Sequence, residues 1–283
     1  MVGYDIIGNI AIVKFARNEK AKGKKRIAEL LLKNNKNVRT ILEKVGKFSG
    51  RLRTQKTKYI AGEKTKEALY RENNCSFLLN VETCYFSPRL SSERKEIAER
   101  VKKNEDVLVM FGGVAPFAIV IAKLRKARRV VSVELSKECN KYALENVKRN
   151  KVNVEIVQGD VRRVLQTHLN TINSTGSSSL TKQQRVSSVR KKVPKLNGSF
   201  NRIIMPRPNL KDSFLDVAFK KVKKKGEINY YGFYHELEKE NLIQLIEDEA
   251  KKARKKIKIL RIKKAGEIGK HKYRYRVDIK IIS

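Results

Sequence analysis

Hydrophobic and polar positions change their period along the chain, and the changes divide it. From Tyr4 to Lys14 the sequence YDIIGNIAIVK alternates as a half-buried strand does, with a turn near Gly8. Lys24 to Lys33 then shows the spacing of an amphipathic helix, and short strand-like pieces follow at Thr57 to Ala61 and Cys75 to Leu79. Beyond Pro88, Ser91 or Ser92 with Glu93 and Glu96 forms a capping arrangement, which predicts a helix from Glu93 to Lys102. The near-continuous apolar run DVLVMFGGVAPFAIVIAKL comes next, and a strand, a glycine turn and an apolar helix in that order open a βαβ unit. RRVVSVELS predicts a second strand ending at Glu134, Lys137 to Asn150 a helix, and NVEIVQGD a third strand ending at Asp160. After an interruption, FNRIIMPRPN resumes the sheet, followed by a helix at Ser213 to Lys223, a strand at GEINYYGFYH, and IKILRIKKAG with KYRYRVDIKIIS as an antiparallel hairpin. The predicted fold is α/β: a mostly parallel sheet with helices on both faces and a C-terminal antiparallel hairpin, preceded by a smaller α+β domain, with residues 1–90 and 91–283 as the two units.

Composition narrows the partners. Lys and Arg number 66 against 29 Asp and Glu, a formal charge of +37, yet 40% of the 283 residues are hydrophobic, enough for a sizeable core. A surplus of that size repels itself unless a polyanion is the partner, so nucleic acid leads; a Lys-rich genome bias is the alternative. With no apolar run of membrane-spanning length and no signal-peptide core, the protein is expected to be soluble and cytoplasmic. Cys75, Cys84 and Cys139 at no metal-ligand spacing, with three histidines, argue against a disulfide framework or a zinc site. Residues 165–199 hold no aromatic residue and are crowded with Ser, Thr, Asn, Gln and Lys, so they read as a flexible basic insertion. That insertion is either a tolerated surface loop or a contact for RNA.

In an open α/β sheet, ligands bind where loops converge beyond the carboxyl ends of the strands. Phe111, Gly112, Gly113 and Val114 follow the first strand of the sheet, where small residues admit a ligand to the backbone and a helix N-terminus favours negative charge. Glu134 lies 21 positions after Gly113, the spacing at which an acidic residue reaches a ribose diol, and Asp160 with Val161 ends the next strand. Together these suit an adenosine-containing cofactor, in a nucleotide dehydrogenase or a methyltransferase. A GxxxxGK[ST] phosphate loop is absent, which disfavours nucleotide hydrolysis, and so is a GxGxxG run. Between the units, FSPRLSSER places Arg89, Glu93 and Arg94 near the cleft, as a structural ion pair or a held general base. Arg51-Leu52-Arg53-Thr54 is either a solvated basic turn or part of the site.

Four blocks carry a resemblance: YDIIGNIAIVK; RLRTQ with AGEKTKEALYRENNCSF; CYFSPRLSSER; and VLVMFGGVAPFAI. In these, and in their order through Glu134, GDVRR and IIMPRP, the chain resembles the archaeal and eukaryotic type of tRNA (guanine-37-N1)-methyltransferase, a class I enzyme with a Rossmann-like domain. The resemblance covers nearly the whole chain apart from residues 165–199 and starts at the family's middle domain, without the extra N-terminal domain of fuller members. It implies S-adenosyl-L-methionine as cofactor, the anticodon stem-loop of tRNA as partner and a monomer. By motif position Glu93 would remove the N1 proton of guanine as the methyl arrives. Arg53 would stabilise the charge that develops toward O6, and Arg89 and Arg94 would position Glu93 and the nucleotide. Glu134 takes the ribose position and Asp160 the position beside the adenine.

Two departures bear on activity. The family's DMFAGVGPF reads VMFGGVAPF here, so Val109 replaces an Asp and Ala115 a Gly; the Asn-x-Pro loop of the target-base pocket is Pro206-Arg207-Pro208. A pocket that has lost an amide suits a different or larger base, which motivates a second activity on the tricyclic wyosine precursor at the same tRNA position. The alternatives are the wyosine-pathway transferase that moves the aminocarboxypropyl group of the same cofactor, and a catalytically degenerate tRNA-binding module. Candidate phosphate contacts are the Lys and Arg of residues 182–195 and the KHKYRYR segment. If some six phosphates are contacted, affinity for tRNA should fall by about 10³-fold between roughly 50 and 200 mM salt, as measured by filter binding; a flat response would mean that the charge is not used on RNA.

Overall fold

The computed structural model describes residues 3–124, 126–165, 196–206 and 212–283. Most of the basic insertion expected at 165–199, together with Arg207 and Pro208, lies outside the described residues.

The first unit is a four-stranded sheet in the order β1-β2-β3-β4, made of β1 (Gly3–Ile7), β2 (Ile10–Lys14), β3 (Thr40–Ser49) and β4 (Thr54–Gly62). Helix α1 (Ala21–Asn34) crosses between the parallel pair β2 and β3, and its Ala28 packs with Val13 and Ile41. The turn expected near Gly8 joins β1 to β2 at φ +58°, and a Cβ added there would meet the Leu69 carbonyl oxygen at 2.0 Å. Glycine is therefore needed twice over, for the left-handed backbone and for this close approach.

β5 (Glu67–Glu72) and β6 (Cys75–Asn80) form a separate hairpin. It leads through a 3₁₀ turn at Pro88–Leu90 into α2 (Ser91–Arg100). The sheet of the second unit is built by β7 (Asp106–Met110), α3 (Pro116–Lys123), β8 (Arg129–Glu134), α4 (Lys137–Asn150), β9 (Glu155–Gln158), α5 (Val161–Leu165), β10 (Phe200–Met205), α6 (Leu215–Lys221), β11 (Val222–His235), α7 (Lys239–Lys252), β12 (Ile257–Gly269) and β13 (Lys272–Ile281). Its seven strands run in the order β12-β13-β11-β10-β7-β8-β9, with β7 to β11 parallel and the closing hairpin antiparallel. The expected fold is present, and the strand order reverses between β7 and β10, where such sheets open a crevice.

Hairpin β5–β6, assigned to the first unit on sequence grounds, packs on the second. The Asn146 side chain donates to Leu78 O at 3.0 Å and accepts from its N–H at 2.7 Å, Asn150 does the same to Ser76, and Phe77 and Leu79 lie in the core of α3 and α4. Buried asparagines saturating an outer strand's backbone fasten it as a neighbouring strand would. The packing thus puts the division near residue 66 instead of 90. Helix α7 had no sequence expectation, although Leu242, Ile246 and Ala250 repeat at a spacing of four and bury one stripe.

Side chains alternate across a strand, and β13 uses both faces fully. Tyr275, Val277, Ile279 and Ile281 join the apolar core under α6 and α7. Arg274, Arg276 and Asp278 point to the opposite face, beneath α2, where they are buried. A polar layer forms there: Arg276 bonds Glu93 and Glu96 at 2.5 Å each and Asp278 at 3.2 Å, Arg100 reaches Asp278 and Glu227 at 3.3 Å, and Arg202 joins Glu227 at 2.8 Å to Glu105 at 2.9 Å. The KHKYRYR segment therefore does not offer Arg276 to phosphate; that guanidinium is fully buried among carboxylates. Arg202→Ala leaves Glu105 and Glu227 facing an uncompensated site and should lower stability by about 3–5 kcal/mol in urea denaturation, whereas a loss below about 1 kcal/mol would show that the layer is dispensable.

Candidate active site

A cleft lies at the carboxyl ends of β7, β8 and β10. Its floor is the turn after β7, with Phe111 at φ +59°, Gly113 at φ +57° and Ala115 at φ +63°. Two left-handed non-glycine residues in one turn cost roughly 1–2 kcal/mol each, strain of the kind that gathers at functional sites. Gly112 admits no side chain, because a Cβ there would meet Ser132 Oγ at 2.0 Å. The Gly113 N–H donates to Glu134 Oε2 at 2.9 Å and the Ser136 N–H to Oε1 at 2.8 Å, so the carboxylate is braced across the cleft by two amides.

Phe111 lines the cleft and meets Phe214 edge to face at 5.0 Å. Val114 and Val161, expected at the cofactor, turn their side chains into the core, because successive positions of a tight turn and of a short helix cannot all face one cavity; Val114 contributes its backbone to the turn. Asp160 pairs with Arg51 and accepts from the Arg162 N–H at 2.9 Å. Burial alone would raise the Asp160 carboxyl, but the Arg51 guanidinium and the backbone donors outweigh it and hold it below its ordinary value. That pair fastens the Arg51–Thr54 turn to the end of β9, so the turn is part of the site.

Arg53 follows at φ +53°, its guanidinium 4.6 Å from the Tyr85 ring centre and 5.7 Å from that of Phe48. Its Nε is buried without a hydrogen-bond acceptor, and it lines the cleft with Pro206, which ends β10.

The expected grouping of Arg89, Glu93 and Arg94 is not observed. Adjacent positions on a helix do not face each other. Arg94 enters the cleft wall, stacks on Phe86 at 4.9 Å and pairs with Glu72 in a fork that is almost wholly buried. Arg89 is exposed and pairs with Asp5 at 2.7 Å. Glu93 is 4% exposed and faces the polar layer, with Tyr231 Oη donating to it at 2.9 Å, Arg276 at 2.5 Å and Lys263 at 3.0 Å. Arg53, Arg94, Phe111, Gly112, Gly113, Glu134 and Pro206 thus share one cleft, while Glu93 sits behind its wall and Arg89 outside it. Sequence reasoning missed Tyr85 and Arg274 as cleft residues, although both stand in segments it singled out.

Residues 68–173 and 179–260 match the TRM5/TYW2 methyltransferase domain, and residues 1–65 match the TYW2 N-terminal domain. The chain belongs to the TRM5/TYW2 methyltransferase family. Over 99% of its length it is 37% identical to the whole of a Nanoarchaeum equitans protein named tRNA (guanine(37)-N(1))/4-demethylwyosine(37)-methyltransferase Taw22. It is 28% identical to the Saccharolobus solfataricus tRNA 4-demethylwyosine(37)-methyltransferase Taw21, covering 98% of this chain and 92% of that one. The crystal structure of Trm5b from Pyrococcus abyssi superposes with a TM-score of 0.80 at 30% identity over 99% of this chain and 74% of that one. The two family matches part at 65 and 68, where the packing of the β5–β6 hairpin also divides the chain. No helix among the described residues is long and apolar enough to cross a membrane.

In this TRM5/TYW2 chain, Glu96 has a pH signature. Burial would raise its carboxyl, but hydrogen bonds from Arg276 and Lys263 outweigh burial and hold it at about 2. A depressed carboxyl contributes stability that is complete above its unfolded value of about 4.3 and is lost as pH falls toward the folded value. Glu96→Gln should therefore flatten the fall of the urea midpoint between about pH 5 and pH 2, and an unchanged acid slope would place that linkage elsewhere.

Proposed function

We propose that this protein transfers the methyl group of S-adenosyl-L-methionine to N1 of guanosine at position 37 of tRNA and also methylates the tricyclic 4-demethylwyosine at that position, acting as a cytoplasmic monomer. One observation carries the reading: a single cleft holds both a glycine turn braced by Glu134 and a guanidinium, Arg53, that has no carboxylate partner among the described residues and is flanked by aromatic rings. The first suits an adenosine-bearing cofactor and the second a base on which negative charge develops.

The residues fit S-adenosyl-L-methionine. The floor has no room for a Cβ at Gly112, Glu134 stands at the end of β8 where a ribose diol would lie, and Phe111 adds an apolar ring. When bound, the cofactor supplies an electrophilic methyl group on a sulfonium. The chain's own residues supply the rest. Arg53, held by its neighbours in a left-handed conformation and stacked on Tyr85, is fixed before the base arrives, so its positive charge costs no reorganisation as charge gathers on O6. Pro206 closes the base side without offering an amide, and the base must leave its stack to enter. Glu93 is the residue assigned to take the N1 proton; in the resting arrangement Tyr231, Arg276 and Lys263 hold its oxygens, so taking up that role requires it to exchange a partner.

The second substrate is favoured by Pro206 in place of the family's amide, and by the names of the Nanoarchaeum and Saccharolobus relatives, which include 4-demethylwyosine. A mass-resolved transfer assay tests both, on a guanosine-37 transcript and on tRNA bearing the tricyclic base. Wild type should add one methyl to each, and Glu93→Gln should lower kcat by about 10²–10⁴-fold while leaving cofactor affinity unchanged. A product carrying the aminocarboxypropyl mass would overturn methyl transfer, and tRNA binding without transfer to either base would leave a binding module.

A further inference from the structure

On the polar face of β13 the buried residues Arg276 and Asp278 balance their charge inside the protein. Arg276 and Asp278 share partners within the layer under α2. Arg274, two residues earlier on the same face, is 6% exposed, its Nε has no acceptor, and no carboxylate lies within ion-pair distance of it among the described residues. Its guanidinium rests 5.1 Å from the centre of the Phe233 ring, beside Tyr85 and a second cation, Arg53. Burial lowers its pKa below the ordinary arginine value and outweighs the hydrogen bond with the Tyr85 hydroxyl, which raises it; Arg53 adds a smaller lowering. A buried cation with a hydroxyl for a partner but no carboxylate, next to another cation, is unfavourable in the free protein, and such an arrangement marks a place where a ligand brings the missing negative charge.

Position tells which ligand. Arg274 lines the cofactor cleft and also a second cavity between the first unit and β12, and the two cavities share Tyr85, Phe86 and Ser87 as a common wall. On the β12 side the residue next to the guanidinium is Gly266, where an added Cβ would stand 4.0 Å from Arg274 Nη1. Of the carboxylates bordering the second cavity, Asp5 is engaged by Arg89, and Glu267 makes no ion pair with Arg274. A base entering the cleft draws its sugar and phosphates through this junction. Arg53 is set toward the base, and Arg274 is the cation that lines both cavities and so stands where the backbone passes between them, with Lys44 farther out on the second cavity.

We propose that Arg274 binds a phosphodiester oxygen adjacent to the nucleotide whose base enters the cleft. The proposal rests on the reading of the cleft as a site for a tRNA nucleotide. The planar guanidinium donates to a phosphate oxygen, a charge-assisted contact stronger than a neutral one. The carboxylate of the cofactor has similar chemistry, and the test separates the two.

Guanosine-37 tRNA is prepared with one neutral methylphosphonate, either 5′ or 3′ of nucleotide 37, and its Kd is measured by fluorescence anisotropy at fixed salt alongside unmodified tRNA. With wild type, one of the two linkages should weaken binding about tenfold. Arg274→Gln should weaken unmodified tRNA by a similar factor and show no further loss with the phosphonate, Arg274→Lys should recover part of the loss, and the Kd for S-adenosyl-L-methionine from calorimetry should stay within about twofold. Wild type indifferent to both phosphonates would overturn the proposal even if Arg274→Gln failed to fold. A variant that loses cofactor affinity while keeping full sensitivity to the phosphonate would assign Arg274 to the cofactor's carboxylate. Methyl transfer measured on the same unmodified tRNA reports separately on the functional reading, because the phosphonate effect on binding requires no chemistry.

Discussion

A helix that lays charged residues on a sheet must balance their charge inside the protein, and the layer between α2 and the β10–β11–β13 face is where this chain meets that requirement. Glu93, Glu96, Glu105, Glu227 and Asp278 face Arg100, Arg202, Arg261, Lys263 and Arg276, five carboxylates against five cations. Removing one of the buried members, such as Arg202 or Arg276, strands a partner away from water, so these members hold one another in a single arrangement, with Arg261 and Lys263 closing the layer at its exposed edge. The layer fixes the angle at which α2 meets the sheet, and with it the side of α2 that borders the cleft.

That arrangement divides the work of adjacent residues. On α2, Glu93 belongs to the layer and Arg94 to the wall of the cleft, held by Glu72 from β5 and by the faces of Phe86 and Phe117. The candidate base is thus secured by strands far away in sequence, and the cleft is walled by a hairpin that sequence patterning assigns to the other unit. From the opposite side, the Arg51–Asp160 pair draws a turn of the first unit over the strand ends of the second, which brings Arg53 into the cleft. Of the three arginines that line the cleft, Arg94 has a carboxylate partner and Arg53 and Arg274 have none among the described residues.

The strands and helices were legible because their periods are. DVLVM is buried throughout, as a central parallel strand must be, and the glycine turn, Glu134 and Asp160 stand at strand ends where a ligand crevice forms. Gly8 and Gly112 were legible as turn positions, and the structure adds why no other residue fits either. The departures at Val109 and Pro206 were visible as substitutions. Val109 proves to be wholly buried in the core, while Pro206 stands in the wall of the cleft.

What the sequence determined by itself is local and periodic: the order of elements, the parallel sheet, the turn that floors the cleft and the surplus of positive charge. What only the tertiary structure decided is partnership. That Arg94 bonds Glu72 and not its neighbour Glu93, that Arg276 serves the layer while Arg274 meets no carboxylate among the described residues, and that residues 67–80 pack with the second unit are facts about chain segments meeting across 22 to 183 positions. A periodic pattern says which face of an element is buried. It does not say which charge waits on the other side, because that depends on how the faces pack.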